Sequence, residues 1–349
     1  MKMGLYQRIS QQNSPVFIIA EAGVNHNGDL RLAKKMIEVA AEAGADAIKF
    51  QTFRAEKLVT REAAKANYQK INTGDDRETQ YEMLKKLELN EEEHQELIEY
   101  CRRLKILFLS TPFDLESVAL LERIGVEAYK ISSGDLTDIP LIEEVASRRK
   151  PVLISTGMGS LGEVEEAVAA ARRMNNEELV LLHCTTSYPT PYREVNLRAM
   201  LTLKEAFQLP VGYSDHTSGL EIPAAAVVLG ARGIEKHFTL DKDLPGPDHR
   251  ISLTPDELKT MVRCIRKVEA ALGDGRKSAT AGEEEAKKIA RKSIVAACDI
   301  PAGTVITREL LTCKRPGTGL PPGFIKYLLG RKAKTALKKD SVVNFWDFE

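Results

Sequence analysis

Short apolar or β-branched runs alternate along the chain with longer stretches in which apolar residues recur every three or four positions. Stretches such as 30–44 and 163–174 have the spacing of an amphipathic helix, whereas the runs between such stretches have the length of strands. The eight runs are VFIIAEAG (16–23), DAIKFQTF (46–53), ILFLSTPF (106–113), AYKISSG (128–134), PVLISTG (151–157), LVLLHCTT (179–186), PVGYSDH (210–216) and GIEKHFTL (233–240).

The number and order of these elements predict an α/β fold whose main domain is a (β/α)8 barrel. Near-continuous apolar strands that alternate with helices are typical of parallel strands buried on both faces. Eight such units in roughly 250 residues are what this barrel needs. A doubly wound open sheet is the alternative. It would require a glycine-rich turn of the form GxGxxG after the first strand, and AGVNHNGD does not have that form.

Residues 273–290, GDGRKSATAGEEEAKKIA, interrupt the alternation and mark a domain boundary. We therefore predict a barrel domain over residues 1–275, a linker over 276–290 and a small second domain over 291–349. The second domain has short strands and Gly/Pro turns. At about 60 residues it is close to the lower limit for independent folding, so we expect it to pack against another surface. Segment 54–90 is longer than a usual strand-to-helix connection and rich in polar residues, which is typical of a lid or binding loop.

Charge balance, cysteine spacing and the N-terminal sequence indicate which partners and which compartment to expect. The 349 residues carry 50 acidic and 50 basic side chains, so we expect neither nucleic acid nor a membrane surface as a partner. The five cysteines are dispersed without a CxxC pair, which favours free thiols in a reducing compartment. The N-terminal MKMGLYQRIS lacks an apolar signal-peptide core, and no long apolar run follows it. The sequence therefore predicts a soluble, cytoplasmic protein.

Polar side chains close each of the eight predicted strands. In a (β/α)8 barrel the C-terminal ends of the strands carry the catalytic residues. One serine or threonine there could equally cap a helix or satisfy a loop, but the repetition at all eight strands favours a functional site. The strand-end residues are Glu21 and Asn25; Lys49, Gln51 and Thr52; Ser110 and Thr111; Lys130, Ser132 and Ser133; Ser155 and Thr156; Thr185, Thr186 and Tyr188; Ser214, Asp215 and His216; and Lys236 and His237.

Two lysines, Lys49 and Lys130, lie inside predicted strands among apolar neighbours. A buried lysine is costly without an anion. That anion could be a protein carboxylate, Glu21 or Asp135, or it could be a bound phosphate or carboxylate. We favour the bound anion, because a lysine charge with a ring of hydroxyls and backbone N–H groups forms a phosphate cradle. The serines at comparable strand-end heights are Ser133, Ser155 and Ser214.

Two histidines, His216 and His237, close successive predicted strands and should be neighbours at the rim of the barrel. Imidazoles from adjacent strands can hold a divalent cation if oxygen ligands or waters complete its shell, and Glu21 offers an oxygen group nearby. The alternative is a pair of core histidines that hydrogen-bond to the backbone. His183 lies earlier in its strand and is predicted to be structural. His94 lies in the charged helix EEEHQELIEY and is predicted to be on the solvated surface.

The segment LPGPDHRISL (244–253) follows the eighth predicted strand. Its proline and glycine residues fix a rigid turn, from which Asp248 projects a carboxylate. That carboxylate could simply belong to a helix-entry loop, or it could accept hydrogen bonds from a polyol.

Ten short motifs together resemble the sialic acid synthase family, which comprises the bacterial N-acetylneuraminate synthases and their legionaminate and pseudaminate relatives. The motifs, which cover nearly the whole chain in order, are IAEAGVNHNGD, IKFQTF, FLSTPFD, YKISSGD, ISTGM, YPTPY, GYSDHT, EKHFTLD, GPDH and KRPGTG. The resemblance implies a (β/α)8 barrel followed by a small antifreeze-like (SAF) domain. It also implies a domain-swapped homodimer in which the small domain of one chain caps the barrel of the other. The Pro–Gly turn of KRPGTG would then present Arg315 to the N-acyl group of a sugar in the partner's site.

The resemblance further implies a reaction and a role for each site residue. Phosphoenolpyruvate (PEP) would condense with an open-chain N-acylated hexosamine and water, giving a nine-carbon 2-keto acid and inorganic phosphate by C–O cleavage of PEP. The metal ligands would be His216 and His237, holding Mn2+ in first place with Mg2+ or Co2+ as alternatives. The implied catalytic residues are Glu21, the acid/base carboxylate, with Lys49, His216 and His237. The implied PEP contacts are Lys49, Thr111, Lys130, Ser133, Ser155, Thr186 and Ser214. The implied sugar contacts are Gln51, Tyr188, Asp248 and Arg315.

The choice of sugar depends on two details of the motifs. Thr186 replaces the asparagine of some N-acetylneuraminate synthases, and KRPGTG fits the neuraminate and legionaminate branches better than the pseudaminate branch. We expect N-acetylmannosamine, with the 2,4-diacetamido-2,4,6-trideoxymannose of legionaminate synthesis, or a phosphorylated sugar as in animal relatives, as alternatives. Two hypotheses of other kinds are a Schiff-base pyruvate aldolase that uses Lys130 or Lys49 as its nucleophile, and a non-catalytic sugar-binding or coat protein.

Overall fold

The computed structural model describes residues 4–11 and 13–349. The chain divides into two compact units, one that ends at Gly273 and a second that comprises Asp274–Glu349. The strands of the first unit are β1 (Phe17–Gly23), β2 (Ala47–Thr52), β3 (Leu107–Pro112), β4 (Tyr129–Ile131), β5 (Val152–Ser155), β6 (Leu179–His183), β7 (Val211–Asp215) and β8 (Gly233–His237). Its α-helices are α1 (Leu5–Ser10), α2 (Leu30–Ala43), α3 (Ala55–Leu58), α4 (Asn67–Thr73), α5 (Gln80–Lys85), α6 (Glu91–Leu104), α7 (Leu115–Ile124), α8 (Ile139–Ser147), α9 (Leu161–Arg173), α10 (Ala199–Phe207), α11 (Glu221–Val228) and α12 (Pro255–Leu272). The second unit contains β9 (Ser293–Ala296), β10 (Leu311–Lys314), α13 (Glu284–Ala290) and α14 (Ile325–Leu328).

Local sequence signals account for where the longer helices begin and end. Helices α6 and α9 begin with capping boxes, in which the N-cap side chain and a glutamate three residues later each accept from the other's backbone N–H. Helix α12 combines the same box with a proline in its first turn. Helices α2 and α7 end at Gly44 and Gly125, which adopt the left-handed conformation favoured by glycine after a helix. These caps satisfy backbone groups that the helices themselves leave unpaired.

The eight strands of the first unit form one parallel sheet in the order β3-β2-β1-β8-β7-β6-β5-β4. The strands at the two ends of this order, β3 and β4, also lie against each other, so the sheet closes on itself. Helices connect successive strands and pack against the outside of the sheet. The predicted (β/α)8 barrel is therefore confirmed, and the doubly wound open sheet is excluded.

Alternate residues of each strand point into the barrel, and their character changes from one end of the barrel to the other. At the N-terminal end the interior is apolar, and Leu5 and Ile9 of α1 pack against it. Further along the strands, the inward positions carry charged groups, hydroxyls and imidazoles. The inward apolar residues are Phe17, Ile19, Ala47, Leu109, Ala128, Leu153, Val180 and Leu182. A polar site is therefore confined to the C-terminal end of the barrel.

The lid segment, residues 54–90, lies between β2 and α6 and contains α3, α4 and α5. A small apolar cluster anchors it to the ends of β1 and β2; the cluster comprises Val24, Phe53, Ala55, Met83, Leu84 and Leu87. Lys65 is buried within the segment, where its Nζ donates to Thr73 Oγ1 (2.9 Å) and to Glu78 Oε2 (2.7 Å). Helix α4, in contrast, has no buried residue of its own.

The second unit has an apolar core of its own. Strands β9 and β10 pair in antiparallel fashion, and isolated bridges such as Val295–Val342 and Ile300–Leu337 tie the remaining chain to them. The core residues are Ile294, Ala296, Ile300, Ile306, Leu311, Leu328, Ala333, Leu337, Val343 and Phe348.

In neither unit does a helix of the described residues have the length and apolar character needed to cross a membrane.

Candidate active site

A cavity of about 190 Å³ opens at the C-terminal ends of the barrel strands. That volume is below the roughly 300–1,000 Å³ of pockets for drug-sized ligands, and it suits a small polar molecule. Asp248 is buried outside this lining, and Arg315 lies in the second unit. The other twelve residues predicted for the site line the cavity: Glu21, Lys49, Gln51, Thr111, Lys130, Ser133, Ser155, Thr186, Tyr188, Ser214, His216 and His237.

Lys49 lies at the centre of the charged layer. Its Nζ is 2.8 Å from Glu21 Oε2 and 3.9 Å from Glu235 Oε2, and it donates to Thr111 Oγ1 at 3.2 Å. Burial alone would lower the pKa of Lys49, but the attraction of Glu21 and Glu235 outweighs burial and raises it. Lys49 therefore pairs with Glu21, as one of the two interpretations of this lysine predicted.

Lys130 has no carboxylate within salt-bridge distance among the described residues. Its Nζ donates to Ser155 Oγ (2.7 Å) and to the carbonyl oxygen of Ile131 (2.9 Å). Asp135 instead accepts from the hydroxyl of Ser132 (2.6 Å), so a pairing of Asp135 with Lys130 is wrong. Burial lowers the pKa of Lys130, although Glu235 opposes this effect. Lys130 is thus a buried amine without a carboxylate partner, and a bound anion would favour its charged form.

Glu235 belongs to the site although the sequence analysis missed it. It lies on β8 two residues before His237 and therefore on the same inward face. Its Oε1 accepts a hydrogen bond from Ser214 Oγ at 2.9 Å. The intervening Lys236 faces the other way and pairs with Asp215. Because side chains alternate along a strand, the sequence Glu235-Lys236-His237 already indicated that Glu235 shares a face with His237.

The two carboxylates beside Lys49 have pKa values displaced in opposite directions. Burial raises the pKa of Glu21 to about 7, with Lys49 opposing it. Burial acts in the same sense on Glu235, but Lys130 and Lys49 outweigh it and hold the pKa at about 2. Near neutral pH Glu235 is ionised, whereas Glu21 readily gains or loses a proton. Two carboxyl groups separated in this way are typical of acid/base chemistry.

Hydroxyl groups and a close backbone approach form the wall near Lys130. Ser133 Oγ accepts from the N–H of Gly157 (3.0 Å) and lies 3.0 Å from Cys184 Sγ. Gly157 leaves no room for a side chain, because a Cβ there would lie 2.3 Å from Thr186 Oγ1 and 2.7 Å from Ser133 Oγ. Thr186 Oγ1 is buried and has no hydrogen-bond partner among the described residues. A hydroxyl without a partner close to a buried cation is suited to a bound phosphate or carboxylate.

The rings of His216 and His237 lie side by side, with centroids 5.7 Å apart. His216 Nδ1 is 2.9 Å from the carbonyl oxygen of Thr185 and therefore donates its N–H to it, which leaves the lone pair of Nε2 available. His237 Nδ1 is buried and lacks a hydrogen-bond partner in the described part of the chain. Burial lowers the pKa of both imidazoles, so both are neutral near neutral pH.

The two histidines fit a divalent cation, but they would supply only part of its ligands. Neutral imidazoles with available lone pairs are metal ligands, and the unpaired Nδ1 of His237 is one such atom. The Glu21 carboxyl is close by, since a Cβ on Gly23 would lie 3.3 Å from Glu21 Oε1 and 3.5 Å from His237 Nδ1. Across the described ranges 4–11 and 13–349, no three His, Cys, Asp or Glu side chains are grouped to hold a metal. Substrate oxygens or waters would have to complete the shell.

Tyr188 forms the wall next to the histidines. Its ring centroid lies 4.3 Å from that of His216, and Tyr68 of the lid segment stacks on it at 5.0 Å with an interplanar angle of 29°. Burial raises the pKa of Asp248 to about 6, and the nearby hydroxyl of Tyr68 opposes this rise. Asp248 Oδ1 has no hydrogen-bond partner among the residues the structure describes. Tyr68 therefore lies next to two predicted sugar contacts, Tyr188 and Asp248.

Comparison with known protein families shows to which family the chain belongs. The NeuB family model matches residues 36–277, well over half of the chain. The chain belongs to the NeuB family. The SAF domain model matches residues 291–349, so this NeuB family protein carries a SAF domain in its second unit.

Individual relatives of this NeuB family chain match over almost its full length. It is 50% identical to the N,N'-diacetyllegionaminic acid synthase of Campylobacter jejuni over 328 residues, which cover 93% of this chain and 98% of the relative. It is 48% identical to the protein of the same name from Legionella pneumophila over 335 residues, covering 95% and 94% respectively. The solved structure of the N-acetylneuraminic acid (sialic acid) synthetase of Leptospira borgpetersenii in complex with citrate is 40% identical, with a TM-score of 0.69 over 78% of this chain and 90% of that chain. The predicted membership of the sialic acid synthase family and the barrel-plus-SAF fold are confirmed, and the family is one of sugar-acid synthases.

One histidine of this NeuB family protein was assigned to the wrong environment. His94, predicted to be on the solvated surface, is completely buried. Its Nε2 lies 2.8 Å from Thr52 Oγ1 and its Nδ1 lies 2.8 Å from the carbonyl oxygen of Asn90. His183, predicted to be structural, hydrogen-bonds to the carbonyl oxygen of Val195 at 2.8 Å.

Several of the polar strand ends point away from the pocket. Thr52 and Ser110 hydrogen-bond to each other at 2.6 Å, and Asp215 accepts from Lys236 and from Tyr213. Because side chains alternate along a strand, a polar strand end supplies the pocket from every second position only. The eight polar ends therefore indicated the correct end of the barrel, but not which of their residues face the cavity.

Proposed function

We propose that this protein condenses PEP with the open-chain form of an N-acylated amino sugar, giving a nine-carbon 2-keto sugar acid and inorganic phosphate. The observation that carries the proposal is the presence, in one cavity, of two buried lysines and two neutral histidines. The lysines suit an anion with two charged ends. The histidines suit a cation that polarises a carbonyl oxygen. The relatives are named as synthases of such nine-carbon acids, which supports the same assignment.

We assign PEP to the side of the cavity that Lys49 and Lys130 line. Lys49 and Lys130 would bind the phosphate and the carboxylate. The hydroxyls of Thr111 and Ser155, which accept from these lysines, would donate further hydrogen bonds, whereas Ser214 already donates to Glu235. In a buried site of low dielectric constant, such groups act strongly on charge that develops during a reaction. Their preorganisation by strand geometry means that little rearrangement is needed when the charge appears.

The bond changes of the reaction call for one proton-transfer group and one fixed negative charge. C3 of PEP bonds to the aldehyde carbon, and the aldehyde oxygen gains a proton. A water oxygen then bonds to C2 and loses one proton. As the bond from C2 to the phosphate oxygen breaks, the second proton of that water passes to the departing phosphate, leaving the keto group. Glu21, with a pKa of about 7, is the group that gives and accepts these protons. Ionised Glu235 would stabilise the positive charge that develops at C2 while C3 bonds to the aldehyde carbon.

His216 and His237 are assigned to a divalent cation, Mn2+ in first place with Mg2+ or Co2+ as alternatives. The cation would supply Lewis-acid polarisation of a carbonyl oxygen. The chain's own part is to orient the ligands: the carbonyl of Thr185 fixes the tautomer and the ring of His216 by accepting its Nδ1–H.

For the sugar we propose the 2,4-diacetamido-2,4,6-trideoxymannose precursor of N,N'-diacetyllegionaminic acid. The sequence motifs favoured N-acetylmannosamine, but the two relatives at 50% and 48% identity both carry the legionaminic name. N-acetylmannosamine is the second candidate, because the 40% identical solved structure is named as an N-acetylneuraminic acid synthetase. Gln51, Tyr188 and Asp248 are assigned to sugar contacts.

We also propose that the protein acts as a homodimer in which the SAF domain of one chain completes the site of the other. Arg315 is the residue assigned to this contact. It is exposed within its own unit, and its Nε donates to the carbonyl oxygen of Ala290 at 3.0 Å, which orients the side chain. A guanidinium held in this way can donate to the N-acyl oxygen of a sugar.

A phosphate-release assay with PEP, Mn2+ and a panel of N-acylated sugars tests the proposal. We expect phosphate release, with kcat/KM roughly ten- to a hundredfold higher for the diacetamido sugar than for N-acetylmannosamine. PEP labelled with oxygen-18 in its bridging position should yield labelled phosphate, because the C–O bond breaks. Unlabelled phosphate would refute the proposed bond cleavage, and no phosphate with any sugar would refute the proposed function.

One observation favours a second candidate strongly enough to be tested. The lowered pKa of Lys130 is a property of amines that form Schiff bases. Borohydride treatment in the presence of pyruvate, whose keto group can form the imine, would then attach pyruvate covalently to this lysine, with a mass increase on its peptide. We expect no adduct and, instead, loss of turnover on addition of a chelator. Phosphate release would also exclude a non-catalytic sugar-binding or coat protein.

A further inference from the structure

A column of rings connects the lid segment to the histidine pair. Tyr68 of α4 stacks on Tyr188, with centroids 5.0 Å apart, and the ring of Tyr188 lies 4.3 Å from that of His216. Tyr188 therefore contacts the lid segment with one part of its ring and the histidines with another. Aromatic pairs at such distances stabilise one another beyond the area they bury.

The hydroxyl of Tyr68 lies near a second residue of the site, the carboxyl of Asp248, which is only 7% exposed. Burial raises the pKa of Tyr68, and the charge of the nearby Asp248 raises it further. Asp248 Oδ1 has no hydrogen-bond partner in the described part of the chain, so this oxygen can accept from a ligand. Both residues that Tyr68 contacts, Tyr188 and Asp248, are assigned to the sugar. Tyr68 itself does not line the cavity at the C-terminal ends of the strands.

Helix α4 depends on few contacts for its position. It has seven residues, none of them buried, and a helix of this length is not stable by itself. Besides Tyr68, Asn72 fastens it to the barrel by donating from Nδ2 to the carbonyl oxygen of Pro247 at 2.6 Å. Pro247 directly precedes Asp248. A segment with so few buried contacts opens at low cost in free energy.

We propose that Tyr68 is a positioning residue for the sugar half of the site. Stacking on Tyr188 and the approach of the Tyr68 hydroxyl to Asp248 hold the two sugar contacts in place, and they couple closure of α4 to occupation of the sugar site. PEP binding does not depend on this coupling. The identity of the sugar rests on the proposed function, whereas the coupling of Tyr68 to the position of α4 does not.

Three variants distinguish the contribution of the Tyr68 ring to sugar binding from that of its hydroxyl and from a general effect of mutating the helix. Tyr68→Ala should raise the KM for the sugar by roughly tenfold or more and leave the KM for PEP within about twofold. Tyr68→Phe keeps the stack and should raise the KM for the sugar by only about threefold. Ile71→Ala is the matched control, since Ile71 is on the same helix and 70% exposed, and it should change neither value. Circular dichroism establishes that each variant is folded.

Amide hydrogen exchange of residues 67–73 tests the same inference without turnover. Exchange there should be faster in Tyr68→Ala than in Ile71→Ala, and the diacetamido sugar, but not PEP, should slow it in the unmodified protein. A rise in the KM for PEP equal to that for the sugar, or equal exchange in the two variants, would overturn the positioning role. If no sugar supports phosphate release, the proposed function fails, and the exchange comparison of the two variants still decides the role of Tyr68.

Discussion

Replacement of Glu21 by glutamine should make the stability of the protein less dependent on pH. The pKa of Glu21 is about 7 in the folded chain against an ordinary value of 4.5. Between these values the folded state binds more protons at this position than the unfolded state. The free energy of unfolding of the unmodified protein therefore falls as pH rises through this window. Glu21→Gln removes the titrating group and keeps a neutral side chain of the same shape.

The size of the effect follows from the pKa shift. Each tenfold change in a proton dissociation constant corresponds to about 1.4 kcal/mol, so a shift from 4.5 to about 7 amounts to about 3 kcal/mol. The ionised carboxylate costs that amount in the folded protein above the upper pKa. Glu21→Gln should thus be more stable than the unmodified protein by about 3 kcal/mol at pH 8 and equally stable well below pH 4.5. Turnover should be lost, because the proton-transfer group is gone.

Glu235→Gln is the matched comparison, and the sign of its effect is opposite. The pKa of Glu235 is about 2 in the folded chain, so its ionised form stabilises the protein above the ordinary pKa of 4.5. This stabilisation, again about 3 kcal/mol, is lost as pH falls through the folded value. Glu235→Gln should therefore be less stable than the unmodified protein at neutral pH, and this difference should disappear under strongly acidic conditions.

Urea unfolding followed by far-ultraviolet circular dichroism, at several pH values without substrate, measures both effects. Fluorescence is unsuitable for the barrel, because the single tryptophan, Trp346, lies in the second unit. Groups that titrate independently cancel when each variant is compared with the unmodified protein at the same pH. The reasoning would be refuted if the two glutamine variants shifted stability in the same direction, or if the differences did not change with pH.

Four further substitutions test individual assignments. His216→Ala and His237→Ala should each abolish metal-dependent turnover and weaken Mn2+ binding in calorimetry, whereas His183→Ala, whose imidazole bonds to the backbone, should still bind the metal; normal turnover in either of the first two would contradict the metal assignment. Lys130→Met should raise the KM for PEP by roughly a hundredfold while leaving the protein folded, and an unchanged KM would remove Lys130 from the PEP site. Arg315→Ala should weaken sugar binding more than PEP binding, and mixing it with His216→Ala should restore some turnover if the SAF domain acts in trans; the absence of any restored turnover would argue against the swap.

The barrel could be predicted from sequence because one rule, near-continuous apolar strands alternating with amphipathic helices, applies to every unit of it. The assignment of individual residues needed the second rule, that side chains alternate along a strand. Applied to β8, it places Glu235 and His237 on one face and Lys236 on the other. His94 could have been placed by helical spacing as well, since with Leu97, Ile98 and Cys101 it forms the buried stripe of α6.

Other features had no signal in the local pattern. Tyr68 belongs to a polar segment without periodicity, and its importance depends on a tertiary approach to Tyr188 and Asp248 that spacing along the chain cannot give. The role proposed for Arg315 would depend on a second chain, so it came only from the family resemblance. The pKa values of Glu21 and Glu235 depend on which lysine each carboxylate faces and at what distance, and that depends on register between strands.

The charges of the pocket restrict how an anion can enter it. Two lysines face two carboxylates there, and Lys49 is paired with Glu21 at 2.8 Å. A dianionic phosphate placed on Lys49 would meet the Glu21 carboxylate at close range, and like charges in a buried site cannot both remain ionised at low cost. Glu235, with a pKa of about 2, does not accept the proton that would relieve this repulsion, whereas Glu21, at about 7, does. On the proposed function, PEP would therefore bind together with a proton on Glu21. The same carboxyl would then carry, next to the substrate, the proton that the aldehyde oxygen needs when the carbon–carbon bond of the proposed reaction forms.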